Sequence, residues 1–280
     1  MASETYRALL RQGEQYLQNA AVQDAAFEAR CLLETVCGTD RTGLIMLYAQ
    51  AVPETERTAY MEKLRLRADG QPLQYILGEW DFMGHTFCVQ PGVLIPRPET
   101  EFLAEWAIRH LPPNAVLYDV CAGTGCIGIS IALERRDVQV YLFEKYDAPF
   151  QCLSENIRRL NAQNVTAVRW DMLDGVPQEL PWPNAILSNP PYIRTGELST
   201  LQKEVQKEPI EALDGGEDGL LFYRALREKW YPKIQNGFLA MECGEAQPAQ
   251  IAAMFSDPTE IYQDYIGTER FVIVYSQGKE

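Results

Sequence analysis

The sequence has little histidine and no closely paired cysteines. Only His85 and His110 stand among its 280 residues, and its seven cysteines are scattered, odd in number and without a C-x-x-C pair. Zinc sites are usually built from closely spaced Cys and His ligands, and disulfide frameworks from paired cysteines. We therefore expect no metal site, and reduced thiols of the kind found in the cytoplasm.

Positive charge and long apolar runs are also scarce. Lys and Arg number 25 against 39 Asp and Glu, a net charge of −14, and no basic patch is visible along the chain. Such a surface repels phosphate backbones. No apolar run is long enough to span a bilayer, and the start of the chain has no apolar signal core. We expect a cytoplasmic monomer that binds neither nucleic acid directly nor a membrane, and whose partner is basic or neutral.

The distribution of apolar residues divides the chain into three parts. Residues 1–70 carry apolar side chains at helical spacing, which predicts a bundle of about four helices, a kind of domain that more often docks a partner than performs chemistry. Residues 71–98 are short β-prone pieces around a Met83-Gly84-His85 turn, and they predict a β-hairpin linker. Residues 99–280 begin with a helix near Thr100 and form the third predicted part.

Strands and helices alternate in the third part. The predicted strands are V-L-Y-D-V, V-Q-V-Y-L-F-E, V-T-A-V-R-W-D, A-I-L-S, G-F-L-A-M-E, E-I-Y-Q-D-Y and R-F-V-I-V-Y. One predicted helix ends near Arg135, and two others cover residues 148–160 and 218–230. Buried parallel strands joined by crossover helices predict a doubly wound α/β sheet, and we expect an antiparallel strand at its C-terminal end.

A glycine-rich turn follows the first predicted strand of this part. It reads Asp119-Val120-Cys121-Ala122-Gly123-Thr124-Gly125-Cys126, and Glu144 closes the next strand. Glycines let the backbone approach a ligand closely, and an acid about twenty positions later can accept hydrogen bonds from ribose hydroxyls. The pattern predicts a site for an adenosine-containing cofactor. Because Gly128 completes a G-x-G-x-x-G spacing, NAD stays open at this point. We expect Asp119 to order the turn through backbone amides.

A second turn narrows the range of reactions that the site could perform. The strand Ala185-Ile186-Leu187 is followed by Ser188-Asn189-Pro190-Pro191-Tyr192. Two prolines remove backbone donors and stiffen the turn, so the Asn189 side chain and the Pro190 carbonyl are left as fixed acceptors. Such a pair can hold a planar NH2 group, and Tyr192 offers an aromatic face on which that group can lie.

Several stretches, in order along the chain, resemble one family. The N-P-P-Y turn is similar to a motif of methyltransferases that use S-adenosylmethionine and act on amide or exocyclic amino nitrogens. Together with Gln71–Gly78, Leu94–Glu101 and the run from Glu208-Pro209 to Leu220, it resembles the PrmC/HemK family. The resemblance implies an α/β fold: a seven-stranded Rossmann-like class I methyltransferase domain preceded by a small helical bundle and a β-hairpin linker. It also implies methyl transfer from S-adenosylmethionine, leaving S-adenosylhomocysteine, to N5 of the glutamine in the Gly-Gly-Gln motif of class-1 peptide-chain release factors.

The resemblance also implies roles for individual residues. The family's cofactor-binding positions correspond to Cys121, Ala122, Gly123, Thr124, Gly125, Glu144, Met172 and Asn189. Its substrate-binding positions correspond to Asn189, Pro190, Pro191 and Tyr192, and of these Asn189, Pro190 and Tyr192 are predicted to be catalytic. Trp170 is an alternative to Met172 for packing against adenine. Two positions depart from the family, because Cys121 stands where Gly is common and Glu144 where Asp is common.

Two other functions stay open. An adenine-N6 methyltransferase of DNA or RNA could use the same turn to hold an exocyclic amine after base flipping, although the charge of −14 disfavours this. A non-catalytic cofactor-binding or docking protein would be favoured by a degraded Asn189 turn, and the turn is intact. No Cys, Ser or Lys is arranged for covalent catalysis, so we expect direct in-line displacement. The charged loop 202–211 is expected to be a solvated surface segment or a mobile lid.

Overall fold

The computed structural model describes residues 4–276, which form two compact units. The first unit contains residues 4–78 together with Lys203–Lys207, and the second contains residues 79–202 and 208–276. Among the described residues, no helix combines the length and the apolar character that crossing a membrane would require.

The first unit is helical. Its helices are α1 Tyr6–Asn19, α2 Ala25–Cys37, α3 Arg41–Leu47, α4 Glu54–Ala68 and α5 Leu73–Leu77. The side chains of Thr5 and Asp40 accept hydrogen bonds from backbone N–H groups in the first turns of α1 and α3, which satisfies donors that a helix start leaves open. Fully buried leucines and one tyrosine fill the space between the helices, among them Leu9, Leu17, Leu32, Leu33 and Tyr60. The predicted helical bundle is thus confirmed.

Helix α5 corrects one expectation, because residues 73–77 were predicted to be β-prone. Pro72 is extended and fixes the backbone at the helix start, and Gly78, at φ +81°, ends the helix in the left-handed conformation. Leu73 and Ile76 are buried at helical spacing. The Lys63 ammonium donates to the Ile76 carbonyl at 3.0 Å. The periodicity of a short apolar run does not distinguish a strand from a helical turn. The flanking residues, here Pro72 and Gly78, determine which of the two forms.

A two-stranded hairpin opens the second unit. Strands β1 Glu79–Phe82 and β2 His85–Cys88 pair antiparallel, as the sequence predicted. Met83 and Gly84 both have positive φ, at +51° and +73°, which is the backbone of a two-residue turn that matches strand twist. Phe82 and Phe87 are buried and meet edge to face with ring centroids 6.2 Å apart.

The second unit is built on a mixed sheet of seven strands. They are β3 Val116–Val120, β4 Gln139–Glu144, β5 Val165–Arg169, β6 Ala185–Ser188, β7 Phe238–Glu242, β8 Thr259–Gln263 and β9 Glu269–Tyr275. Their order is β5-β4-β3-β6-β7-β9-β8, with β3 to β7 parallel and β9 antiparallel to both of its neighbours. The predicted seven-stranded Rossmann-like α/β fold, with an antiparallel strand at its C-terminal end, is confirmed.

Helices cover both faces of this sheet. They are α6 Glu101–His110, α7 Cys126–Glu134, α8 Asp147–Arg159, α9 Leu221–Ala225 and α10 Pro248–Ala252, and a π-helical turn, Leu226–Trp230, continues α9. Alternate strand residues pack into two apolar cores, one on each face of the sheet. Leu117 and Leu187 pack with α6 and α7, whereas Tyr118 and Ile186 pack with α9 and Trp230. Both faces are therefore apolar, as expected for buried parallel strands. The strand order reverses between β3 and β6, which is where open α/β sheets bind ligands.

Candidate active site

A cavity of about 330 Å³ lies beyond the carboxyl ends of β3, β4 and β6. Its walls come from the segment before α6, the turn after β3, the end of β4 and the turn after β6. The predicted site residues that line it are Cys121, Ala122, Gly123, Thr124, Glu144, Met172, Asn189 and Pro191. Gly125, Pro190 and Tyr192 do not line it. The structure thus brings most of the predicted cofactor positions together with Asn189.

The turn after β3 is shaped by left-handed backbone. Cys121, Gly123 and Gly125 have φ values of +64°, +57° and +78°. Gly125 precedes α7, and a Cβ there would lie 2.8 Å from the Ile129 Cδ1 atom. Cys121 adopts this conformation without being glycine, which costs about 1 kcal/mol or more. The turn therefore presents backbone, rather than long side chains, to the cavity.

Gly128 and Asp119 fix the helix that follows this turn. A Cβ on Gly128 would lie 2.3 Å from the Leu142 Cδ2 atom, so a larger residue in α7 would force this β4 side chain to move. The Gly128 N–H donates to Asp119 Oδ2 at 2.9 Å. Asp119 was expected to order the glycine turn itself; its bond goes instead to the first turn of α7. Its Oδ1 has no hydrogen-bond partner among residues 4–276, and burial raises the pKa of this carboxyl to about 7.

Glu144 is the last residue of β4, and its carboxylate keeps the glycine turn in place. Its Oε2 accepts a hydrogen bond from the Gly123 N–H at 3.1 Å, and its Oε1 accepts from the Lys145 and Tyr146 N–H groups at 2.8 and 2.9 Å. Burial raises the pKa of Glu144, and these backbone bonds oppose that rise. Since each carboxylate oxygen has about two lone-pair positions, Oε2 keeps one for a further donor such as a ribose hydroxyl.

The two candidates for packing against adenine both line the cavity. Met172 is buried, and the Trp170 indole N–H donates to the Gly175 carbonyl at 2.7 Å. Tyr146 and Asp171, which carried no sequence prediction, line the same wall. Asp171 caps the turn that carries Met172 by accepting from the Leu173 N–H at 2.9 Å, and it pairs with Lys145 at 2.8 Å. The available signal was their closeness in sequence, since Tyr146 is two positions after Glu144 and Asp171 directly precedes Met172.

The proline corner after β6 contributes unequally to the cavity. Asn189 and Pro191 line it, whereas Pro190 does not. The Tyr192 ring packs in the core on the α9 face of the sheet, and the Tyr192 carbonyl accepts a hydrogen bond from the Gln247 side chain at 2.9 Å. Burial raises the pKa of the Tyr192 phenol to about 12. The aromatic face predicted for substrate therefore packs inward in this structure, and the predicted role of Tyr192 stays a prediction.

Asn189 belongs to a chain of hydrogen bonds that the sequence did not predict. Its Nδ2 donates to Thr100 Oγ1 at 3.3 Å, and the Thr100 hydroxyl donates to Glu242 Oε2 at 2.6 Å. Thr100 precedes α6 and Glu242 is the last residue of β7. The two residues are 142 positions apart in sequence. Burial raises the pKa of the Glu242 carboxyl to about 7. No local sequence pattern connects these residues, which is why the contact was missed.

One residue of the charged loop 202–211 is buried, although the sequence suggested a solvated surface segment or a mobile lid. Glu208 is only 4% exposed; its carboxylate pairs with Arg97 and accepts from the Ile95 N–H at 3.1 Å. A buried carboxylate is retained when such partners satisfy it. Pro209, Glu211 and Ala212 line the cavity together with Arg97. Part of this loop therefore contributes to the cavity wall, whereas Ile210 is exposed and residues 202–207 are half-buried or exposed.

Solved structures with the same fold include several methyltransferases. A methyltransferase from Pyrococcus furiosus aligns with a TM-score of 0.51 at 18% identity, over 69% of this chain and 89% of that one. The hMettl16 catalytic domain aligns with a TM-score of 0.54 at 14% identity, over 81% and 84%. At these identities the likeness shows the fold alone.

Sequence comparison identifies the family. The PrmC N-terminal domain model matches residues 8–78, and the methyltransferase small domain model matches residues 86–249. The release factor glutamine methyltransferase of Clostridium botulinum is 34% identical over 89% of this chain and 90% of its own length, and that of Geobacter sulfurreducens is 36% identical over 90% and 88%. The family predicted from the Asn189 turn and its companion stretches is confirmed, and the chain is an enzyme. It belongs to the release factor glutamine methyltransferase family.

Proposed function

We propose that this enzyme transfers the methyl group of S-adenosylmethionine to the side-chain amide nitrogen, N5, of the glutamine in the Gly-Gly-Gln motif of class-1 peptide-chain release factors. One observation carries the proposal: Asn189 lines the same cavity as the glycine turn and Glu144. An acceptor for an NH2 group therefore stands beside a site suited to an adenosine cofactor. The names of the family members support the same substrate.

The residues of one wall, which we call the cofactor side, fit S-adenosylmethionine. This side comprises residues 121–124, Glu144 and Met172. The positive-φ turn leaves room for the cofactor to contact the protein backbone, and Glu144 retains an acceptor position for a ribose hydroxyl. Met172 or Trp170 would pack against adenine, since both line the cavity. When bound, the cofactor supplies an electrophilic methyl group on a positively charged sulfur.

A second part of the cavity wall, which we call the substrate side, comprises Asn189 and Pro191, with Pro190 between them in sequence. A carboxamide nitrogen is a weak nucleophile because its lone pair is delocalised into the carbonyl. The Asn189 Oδ1 and the Pro190 carbonyl would accept its two N–H bonds and turn the nitrogen toward the methyl group. The same acceptors favour the positive charge that grows on nitrogen as the new bond forms. The extra proton is released to water afterwards.

The remaining expectations are proposals of the same kind. We assign residues 1–70 to docking of the release factor, 71–98 to the linker and 99–280 to methyl transfer. The enzyme acts in the cytoplasm as a monomer and binds no nucleic acid directly. The net charge of −14 supports the last point, and it weighs against the adenine-N6 alternative, which the family members' names do not favour.

Labelled cofactor tests this proposal directly. The enzyme is incubated with methyl-labelled S-adenosylmethionine and, in parallel, with a class-1 release factor, the same factor with its Gly-Gly-Gln glutamine replaced by alanine, duplex DNA and RNA. We expect label on that glutamine alone, located by peptide mass spectrometry, and none with the Asn189→Ala enzyme. Label on the alanine factor or on a nucleic acid would refute the proposal.

A further inference from the structure

We propose that Thr100 and Glu242 are positioning residues that fix the Asn189 carboxamide with its oxygen available to the substrate nitrogen. The inference rests on the proposed function for its role in turnover. The contact on which it is based is a property of the enzyme alone.

The argument begins with the proton of the Thr100 hydroxyl. A threonine hydroxyl has one proton to donate, and Glu242 can only accept once it is ionised, that is, above its pKa of about 7. The 2.6 Å contact between Thr100 Oγ1 and Glu242 Oε2 therefore uses that proton. What Thr100 presents to Asn189 is an oxygen lone pair. Only the NH2 end of the Asn189 amide can meet it favourably, as the 3.3 Å contact from Nδ2 shows.

The alternative orientation of Asn189 is penalised by the same pair. If the amide turned by 180° about χ2, its Oδ1 would face the Thr100 oxygen, and two acceptors would be in contact without a proton between them. Its NH2 would then face the substrate NH2, so that two donors would meet. The Thr100–Glu242 pair therefore selects the one amide orientation that accepts an N–H bond from substrate.

The burial of Glu242 indicates that its carboxylate is not there for stability. Glu242 is 2% exposed at the end of a central strand, and Thr100 is its one side-chain hydrogen-bond partner among the described residues. Arg270 and Arg97 lie near enough to favour its charged form, and Glu99 opposes it. Burying a carboxylate with so few partners is costly, and an apolar side chain would suit the strand better. Control of Thr100 accounts for its presence.

The first arm of the test measures turnover in matched variants. Thr100→Val keeps the shape and removes the hydroxyl, Thr100→Ser restores it, and Glu242→Gln removes the acceptor-only partner. Thr86→Val is the control, because Thr86 makes a comparable 2.7 Å bond to Asp81 in the hairpin, away from the cavity. We expect Thr100→Val to lower kcat about 10- to 100-fold, with the Kd for S-adenosylmethionine within twofold of wild type. The kcat of Glu242→Gln should lie between those of Thr100→Val and wild type. The kcat values of Thr100→Ser and Thr86→Val should stay close to that of wild type.

The second arm observes the Asn189 amide without any substrate. The side-chain 15N–H2 resonances of Asn189 are assigned by their loss in Asn189→Ala, and we expect them to shift in Thr100→Val and Glu242→Gln but not in Thr86→Val. Unchanged resonances in Thr100→Val overturn the inference whatever the substrate is. So does a Thr100→Val enzyme with wild-type kcat, or a Thr100→Ser enzyme as slow as Thr100→Val. A wild-type enzyme that does not methylate the glutamine, but shows the resonance shifts, refutes the proposed function and leaves the positioning contact standing.

Discussion

The two sides of the cavity are held in place by different kinds of contact. On the cofactor side, Glu144 accepts three backbone N–H groups, and the neighbouring turn owes its path to positive φ values. On the substrate side, the Asn189 amide is oriented by bonds between side chains, from Asn189 to Thr100 to Glu242. Changes on the cofactor side should therefore alter affinity and stability, whereas changes on the substrate side should alter turnover.

The largest effect is expected from Asn189→Ala, which removes an acceptor for the reacting nitrogen. We expect kcat to fall about 100- to 1000-fold, the range seen when one transition-state hydrogen bond is deleted. The Kd for S-adenosylmethionine, measured by calorimetry, should change by less than about threefold, because the cofactor side is held by its own backbone contacts. A loss of cofactor affinity as large as the loss of kcat would show that the two sides are not independent.

A second prediction concerns Asp119, which is buried in β3 just before the cofactor-side turn and has one oxygen without a partner among residues 4–276. Its folded-state pKa, about 7, is higher than the ordinary value of 3.8, so the folded state binds more protons than the unfolded chain across that window. Stability therefore falls as pH rises from about 4 to 7, and the full cost of the buried charge is present above pH 7. Asp119→Asn has no such titration and still accepts from the Gly128 N–H.

Urea unfolding at two pH values tests this prediction. We expect Asp119→Asn to gain stability over wild type on going from pH 5 to pH 8, by about 3 kcal/mol, since about two pKa units at roughly 1.4 kcal/mol each lie in this range. Other groups titrate equally in both proteins and cancel in the difference. The same gain at both pH values would mean that Asp119 is ionised in the folded protein throughout.

The third prediction separates the charge of Glu144 from its shape. A glutamine there would turn its NH2 group toward at least one of the three backbone donors, so Glu144→Gln should loosen the turn and lose a ribose acceptor. We expect the Kd for S-adenosylmethionine to rise about 10-fold, close to 1.4 kcal/mol. Glu144→Asp keeps the carboxylate, and its Kd should stay within about threefold of wild type. If the Glu144→Gln enzyme binds S-adenosylmethionine as tightly as the Glu144→Asp enzyme, the bonds from backbone N–H groups to the carboxylate do not keep the cofactor side in place.

The contrast between the two sides also explains what the sequence could predict. The glycine turn, the hairpin turn at Met83-Gly84 and the proline corner impose their backbone demands locally, so residue types alone indicate them. The bond between Thr100 and Glu242 joins positions 142 apart, and only the packed sheet brings them together. The burial of Glu208 likewise depends on Arg97 and the Ile95 amide. The error at α5 was a different one, because a five-residue apolar run fits both a strand and a helical turn.

The smallest predicted effect tests whether backbone alone shapes the cofactor side. At φ +64°, Cys121 carries strain that glycine would relieve and alanine would keep. We therefore expect Cys121→Gly to be more stable than Cys121→Ala by about 1 kcal/mol in urea unfolding, with the Kd for S-adenosylmethionine within twofold of wild type in both. An alanine variant as stable as the glycine variant would show that the turn is not strained at this position. A large loss of cofactor affinity in both would mean that the thiol itself contacts the cofactor, and that this side depends on a side chain just as the substrate side does.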